Sequence, residues 1–267
     1  TIISEEVAYR VEAEGDRMIL RDPALDSGRQ ASQIRELLDM GISALVVAPA
    51  DADSLADVLT EARDRGVKVI VVDTAVADDI PADCTITSDN YEAGVIVGKY
   101  FLQKHNTAKL VVMTHESTRS ARERVGGFLD TVSANENIQV VKKIECEGQV
   151  EIAMPRLQEA IDEGLDFDTV FCLNDLAGMG VVAALDENGL LDQVAVYGVD
   201  ASPDSKELIY EGKMAASAAQ FPTVIGKEAA DVIYRCLDGE ETEKLILTPV
   251  KLICAENVEE FGISRWQ

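Results

Sequence analysis

Three apolar runs in this chain stop on side chains that hydrogen-bond strongly. Val67–Lys68–Val69–Ile70–Val71–Val72 ends on Asp73, Val170–Phe171–Cys172–Leu173 ends on Asn174 and Asp175, and Val194–Ala195–Val196–Tyr197–Gly198–Val199 ends on Asp200. Such runs read as buried strands, and in open parallel α/β sheets ligands sit outside the carboxyl ends of the strands. Asp73, Asn174 and Asp200 gathered there would hydrogen-bond one polar ligand. Arg124 lies near the first turn of a helix that begins after Thr118–Arg119–Ser120. Its fixed fork of donors suits vicinal hydroxyls or a carboxylate, yet the residue reads equally as part of a solvated face with i,i+4 pairs. Gln220 closes the run Ala215–Gln220 ahead of Phe221–Pro222. It is either a simple hinge residue or one more amide donor and acceptor around a polyol.

Catalytic patterns are missing. His105 and His115 have no spacing that suggests a metal or a nucleophile partner, and there is no GxSxG, HExxH or Walker-type loop. Gly178–Met179–Gly180–Val181–Val182–Ala183 fits a loose GxGxxA fingerprint with Asp200 about twenty residues on. Its first glycine should follow the strand at once; here Asn174–Ala177 intervene, so the glycines fall inside a helix and serve close packing against the sheet. Cys84, Cys146, Cys172, Cys236 and Cys254 lack CxxC spacing and leave the redox compartment open. Cys172 and Cys236 read as small core residues. No catalytic residue, cofactor or metal is expected.

The elements that would position these groups alternate. Helices are expected over 2–14, 31–40 and 53–65, with Gly41 and Gly66 ending the second and third. Strands are expected over 18–20, 42–48 and 67–73. A short strand 84–87 precedes Ser88–Asp89–Asn90, which caps a helix 91–103. A second series follows, with strands at 109–113, 138–144, 168–173, 194–199 and 214–219 and helices at 121–134, 151–163, 177–188, 204–211 and 223–237. Residues 245–253 read as one extended run. Short connections between alternating elements imply parallel sheets with crossover helices.

At 267 residues the chain has room for a sizeable core. A net charge of −25 excludes a nucleic-acid partner, because nothing could neutralise a run of phosphates, and disfavours anionic lipid. No apolar run approaches the ~20 residues that span a bilayer. No signal peptide is visible at Thr1, so either the protein is cytosolic or a leader lies outside this sequence.

Taken together, several segments match one family. They are Gly41–Ile42–Ser43–Ala44–Leu45–Val46–Val47–Ala48–Pro49, the run ending on Asp73, Ser88–Asp89–Asn90 with Gly94 and Gly98, and Ser120–Ala121–Arg122–Glu123–Arg124 with Gly127–Phe128. Val170–Asp175, Gly198–Val199–Asp200 with Ser202–Pro203–Asp204, and Gln220 with Pro222 and Gly226 complete the set. In this order the chain resembles the type I periplasmic binding proteins, most closely the ribose-binding branch of sugar ABC-transporter receptors.

The resemblance implies an α/β fold of two Rossmann-like lobes joined by three crossings. Residues 1–87 and 221–250 would form the N-terminal lobe, and residues 88–220 and 251–267 the C-terminal lobe. It implies a monomeric extracytoplasmic receptor that closes over a small sugar or related polyol and presents it to an ABC-transporter permease. Asp73 would accept hydroxyl protons from the first lobe; Arg124, Asn174 and Asp200 would act from the second, with Gln220 at the hinge. The family's polar residue after the Asp73 position is Thr74 here, its loop asparagine is Ala48, and its sugar-packing aromatics fall near Glu147–Gly148 and at Val199. The first strand of the first lobe is missing from this sequence, and Thr1 falls inside the first helix. The effector domain of a LacI-type regulator or of a membrane sensor shares the fold, and a NAD-dependent Rossmann enzyme is the third alternative. Replacing Arg124 or Asp200 by alanine is expected to abolish ligand-induced stabilisation with little loss of fold.

Overall fold

A computed structural model describes residues 2–51 and 53–267, so Thr1 lies outside the described residues. The chain forms two compact units. The first takes the chain up to Ser88, Ser117–Arg119 and Phe221–Thr248; the second takes Asp89–Glu116, Ser120–Gln220 and Pro249–Gln267.

The first unit is built on the strands β1 (Ala44–Val47), β2 (Lys68–Asp73) and β3 (Cys84–Ser88). The later strand β9 (Leu245–Thr248) joins them in a sheet ordered β1-β2-β3-β9. Every pairing is parallel. Alternation in β1 and β2 sends Leu45, Val47, Val69 and Val71 to one face and Ala44, Val46, Ile70 and Val72 to the other. The helices α2 (Ser27–Asp39) and α3 (Ala56–Asp64) cover the first face, with Ile34, Leu37, Leu38, Val58 and Leu59 buried against it. The helices α1 (Ile2–Ala13) and α9 (Pro222–Leu237) cover the second through Val7, Ile225, Ala229 and Val232. Gly41 and Gly66 follow α2 and α3 at φ +78 each, the left-handed conformation that ends a helix at little steric cost for glycine.

Met18–Ile19–Leu20, expected as a strand, is not one. These residues pair with no strand of either sheet, and Leu20 is exposed. The helix expected from Asp53 begins at Ala56; the Asp51 carboxylate accepts from the backbone N–H groups of Asp53 and Ser54 and holds them in a turn.

The second unit carries β4 (Ala108–Thr114), β5 (Ile138–Glu145), β6 (Thr169–Cys172), β7 (Ala195–Asp200), β8 (Ala216–Ala219) and β10 (Lys251–Cys254). They form a sheet ordered β10-β8-β7-β6-β4-β5, parallel except where β10 meets β8. The single extended run expected at 245–253 is therefore two strands, one in each sheet, separated at Pro249. Its helices are α4 (Asn90–Lys104), α5 (Arg119–Val132), α6 (Val150–Asp162), α7 (Asp175–Glu187) and α8 (Pro203–Tyr210). Gly178 and Gly180 lie within α7, as the spacing required. A Cβ on Gly180 would stand 2.9 Å from the Val150 carbonyl oxygen, so its close neighbour is α6, whereas one on Gly178 would meet the Met214 side chain at 3.2 Å and Cys172 Cβ of β6 at 4.0 Å. All five cysteines are buried and unbonded to each other.

His105 is the C-cap of α4. Its ring stacks on Phe101 with centroids 4.8 Å apart, and its Nε2 lies 2.8 Å from the Tyr197 hydroxyl. Burial lowers its pKa from the ordinary 6.5 against a smaller opposing pull from Asp168. A depressed folded-state pKa means stability that is complete above pH 6.5 and is lost as pH falls through the lower, folded value. The melting temperature should therefore drop between pH 7.5 and 5, and His105→Gln should flatten that limb. An unchanged slope in the variant would remove His105 from the account.

Among the described residues no helix is long and apolar enough to cross a membrane.

Candidate functional site

Four of the five residues singled out from the sequence lie in the second unit, at the carboxyl end of its sheet. Asp200 is the last residue of β7, Asn174 follows β6 by two residues, Gln220 follows β8 directly, and Arg124 sits in the second turn of α5 after β4. Three of them touch. Arg124 Nη1 donates to Asp200 Oδ1 at 3.1 Å, and the Gln220 side-chain amide donates to the same oxygen. The pair is largely removed from water, with Arg124 only 6% exposed.

Arg124 is held on further sides. Its Nε donates to Asn90 Oδ1 at 2.8 Å and its Nη1 also reaches the Leu173 carbonyl at 3.1 Å. Both N–H groups on Nη2 lack a partner among the described residues. The question the sequence left open is thus answered in one respect: Arg124 is no member of a solvated face. Arg122 is nearer to that description, exposed and bonded to the Glu116 carbonyl.

Asn174 is different. Its Oδ1 accepts from the Ala177 N–H at 2.9 Å and caps α7, while its Nδ2 donates to the Gly148 carbonyl at 3.0 Å. Its second Nδ2 N–H bonds to no described residue. Its neighbour Asp175 runs inward and is 1% exposed. Asp175 Oδ2 accepts from the Ser202 N–H at 2.8 Å and from the Ser205 hydroxyl, and Oδ1 accepts from the Ser217 hydroxyl at 2.6 Å. Ser217 Oγ in turn accepts from the Ala201 N–H at 3.0 Å.

This lattice holds a turn that needs holding: Asp200 has φ +124 and Ala201 φ +49. It also explains Gly198, where a Cβ would stand 2.5 Å from Asp175 Oδ1. Burial and the Asp200 charge raise the Asp175 pKa to about 7, while its three donors pull it down. Sequence reasoning saw Asp175 as part of a strand end and missed this supporting role. No local pattern signalled it, because its partners Ser202, Ser205 and Ser217 lie 27, 30 and 42 residues further along the chain.

Asp73 belongs to the first unit, at the carboxyl end of β2, with φ +70. Its carbonyl accepts from the Thr87 hydroxyl at 2.6 Å, and its exposed carboxylate has no partner among the described residues. In the same unit the buried Gln30 clamps the loop at Ala48, donating to the Ala48 carbonyl at 2.8 Å and accepting from the Ala50 N–H at 2.9 Å.

The positions where aromatics were expected are filled otherwise. Val199 is wholly buried in the core and Glu147 is exposed at φ +52. Gly148, at φ +65, would place a Cβ 2.9 Å from Asn174 Nδ2, so a side chain there would press on Asn174 from a strained backbone. Among the described residues no group of three or more His, Cys, Asp or Glu side chains could hold a metal ion.

The arrangement can bind but offers no activated nucleophile. A charged donor, a carboxylate and two side-chain amides at one sheet edge can give to and accept from the same hydroxyl, which re-pairs a group stripped of water.

Comparison with known proteins bears on this arrangement. A family model described as "Periplasmic binding protein domain" matches residues 3–241. The ribose import binding protein of Bacillus subtilis is 27% identical over 240 residues, which is 89% of this chain and 77% of that protein. The galactofuranose-binding protein of Escherichia coli is 25% identical over 260 residues, 93% of this chain and 81% of that protein. The crystal structure of the Caulobacter myo-inositol binding protein with myo-inositol superposes with a TM-score of 0.90 at 25% identity, covering 97% of this chain and 89% of that one. An ABC transporter solute binding protein from Bacillus halodurans, also with myo-inositol, gives a TM-score of 0.90 over 99% of this chain and 94% of that one; at 22% identity it speaks for the fold alone.

Proposed function

The chain belongs to the periplasmic binding protein domain family, and from that premise we propose that it is an extracytoplasmic receptor for a small sugar or related polyol. The observation that carries this reading is the Arg124–Asp200–Gln220 contact, buried at the sheet edge with the Nη2 donors of Arg124 unspent. A neutral ligand suits it, because the guanidinium and the Asp200 carboxylate already balance one another. A vicinal diol can accept from Arg124 and donate to Asp200 without stranding a charge.

In this reading Asn174 gives its remaining N–H, and Asp73 accepts from the first unit with its exposed carboxylate. Absence of aromatic faces at Glu147, Gly148 and Val199 favours recognition by hydrogen bonds over a ring sandwich. The protein binds and releases its ligand unchanged, acts as a monomer, and delivers the ligand to the permease of an ABC importer. The chain passes between its two units at Ser88–Asp89, Gln220–Phe221 and Thr248–Pro249. These crossings would be the hinges through which the ligand shifts the lobes toward closure.

A thermal-shift screen tests this. D-ribose, galactose and myo-inositol would be compared with NAD. A ligand at a hundred times its Kd adds about 2.7 kcal/mol, which is a rise of several degrees for a chain of this size. Stabilisation by NAD alone would overturn the reading in favour of a nucleotide-dependent enzyme.

A further inference from the structure

Arg124 can serve a ligand only if its guanidinium is held in one plane. Helices α4 and α5 cross in backbone contact. A Cβ on Gly94 would lie 2.0 Å from the Arg124 carbonyl oxygen and 2.6 Å from the Phe128 nitrogen, and one on Gly127 would lie 2.1 Å from the Tyr91 carbonyl oxygen. One turn before Gly94 is Asn90, the first residue of α4, which is 2% exposed. The crossing brings its Oδ1 to 2.8 Å from Arg124 Nε.

We propose that Asn90 is a positioning residue: it fixes rotation about the Cδ–Nε bond of Arg124, so that Nη1 faces Leu173 and Asp200 while Nη2 stays available for the ligand. This rests on the reading of Arg124 as a ligand residue. The Leu173 and Asp200 contacts share Nη1. Two contacts at one nitrogen fix its place but leave the plane free to tilt, and a third contact at Nε removes that freedom. An amide oxygen does this without supplying a second negative charge, so the guanidinium remains paired to Asp200. Asn90 touches no ligand in this account and acts through Arg124.

Two measurements decide it. In the ligand-free protein, the Arg124 Nε–H should give a slowly exchanging arginine signal in a proton–nitrogen correlation spectrum. Asn90→Ala should lose that protection and Asn90→Asp should keep it, because a carboxylate oxygen accepts the same bond. By calorimetry with D-ribose and myo-inositol as probes, Asn90→Ala should weaken binding about tenfold and Asn90→Asp should restore most of the loss. Protection of Nε–H retained in Asn90→Ala, or equal loss of binding in both variants, would overturn the proposal. If the wild-type protein binds no sugar or polyol, the receptor reading fails, and the exchange measurement still decides whether Asn90 orients Arg124.

Discussion

Arg124→Ala is expected to abolish sugar-induced stabilisation and, in addition, to lower the unfolding free energy by about 1–3 kcal/mol. The residues alone suggested a loss of binding with little loss of fold. The structure changes that expectation because of what the side chain holds. Its removal strips Asn90, Leu173 and Asp200 of a shared donor inside a nearly closed environment. Asp200 is then left without its cation, held in place by a turn at φ +124 that cannot relax freely toward water. Breaking one half of a buried pair costs more than the pair contributes. A second variant separates the two effects. Arg124→Met combined with Asp200→Asn removes both charges, so stability should recover most of the loss while binding stays absent. Urea titration and calorimetry on the same samples would check this. Sugar-induced stabilisation that survives in Arg124→Ala would refute the site.

Gly127→Ala is expected to destabilise by about 3 kcal/mol, whereas Gly126→Ala, one residue earlier in the same helix, should be neutral or stabilise by up to about 1 kcal/mol. Both add one methyl group to α5, and helix propensity favours alanine at both positions. The difference is entirely tertiary. The new Cβ at Gly127 would stand 2.1 Å from the Tyr91 carbonyl oxygen and 3.2 Å from the Val95 nitrogen, while nothing lies within 4 Å of one at Gly126. Backbone cannot swing aside as a side chain can, so α4 and α5 must separate. That separation moves Asn90 away from Arg124, and sugar binding should weaken in Gly127→Ala beyond what unfolding explains. Midpoints of urea unfolding for the two variants, measured side by side, test the crossing; equal values would mean the helices do not meet there.

Much of the fold could be read from local pattern because local pattern is what creates it. The apolar runs ending at Asp73, Leu173 and Val199 are too continuous to face water on either side, which fixes them as central parallel strands. Glycines at 41 and 66 and the cap at Asp89 mark helix ends through backbone chemistry that needs no partner. The failures have the opposite character. Met18–Leu20 has strand composition, but a strand exists only with a ladder, and none of the described residues pairs there. Residues 245–253 look uniform, yet Leu245–Thr248 and Lys251–Cys254 belong to different sheets, a choice made by long-range pairing.

The site divides in the same way. Which residues end the strands, and hence which polar groups reach the sheet edge, followed from the sequence alone: Asn174, Asp200 and Gln220 occupy that edge in the second unit and Asp73 in the first. The sequence could not tell whether Arg124 is solvated or buried, that Asn174 spends its oxygen on capping α7, or that Asp175 props up the turn at Asp200. Those facts depend on side-chain direction and on the approach of segments dozens of residues apart, such as Asn90 to Arg124 and Asp175 to Ser217. Periodicity carries the identity of a buried face, because burial repeats with the backbone. Hydrogen-bond partnership has no period, and only packing of the whole unit decides it.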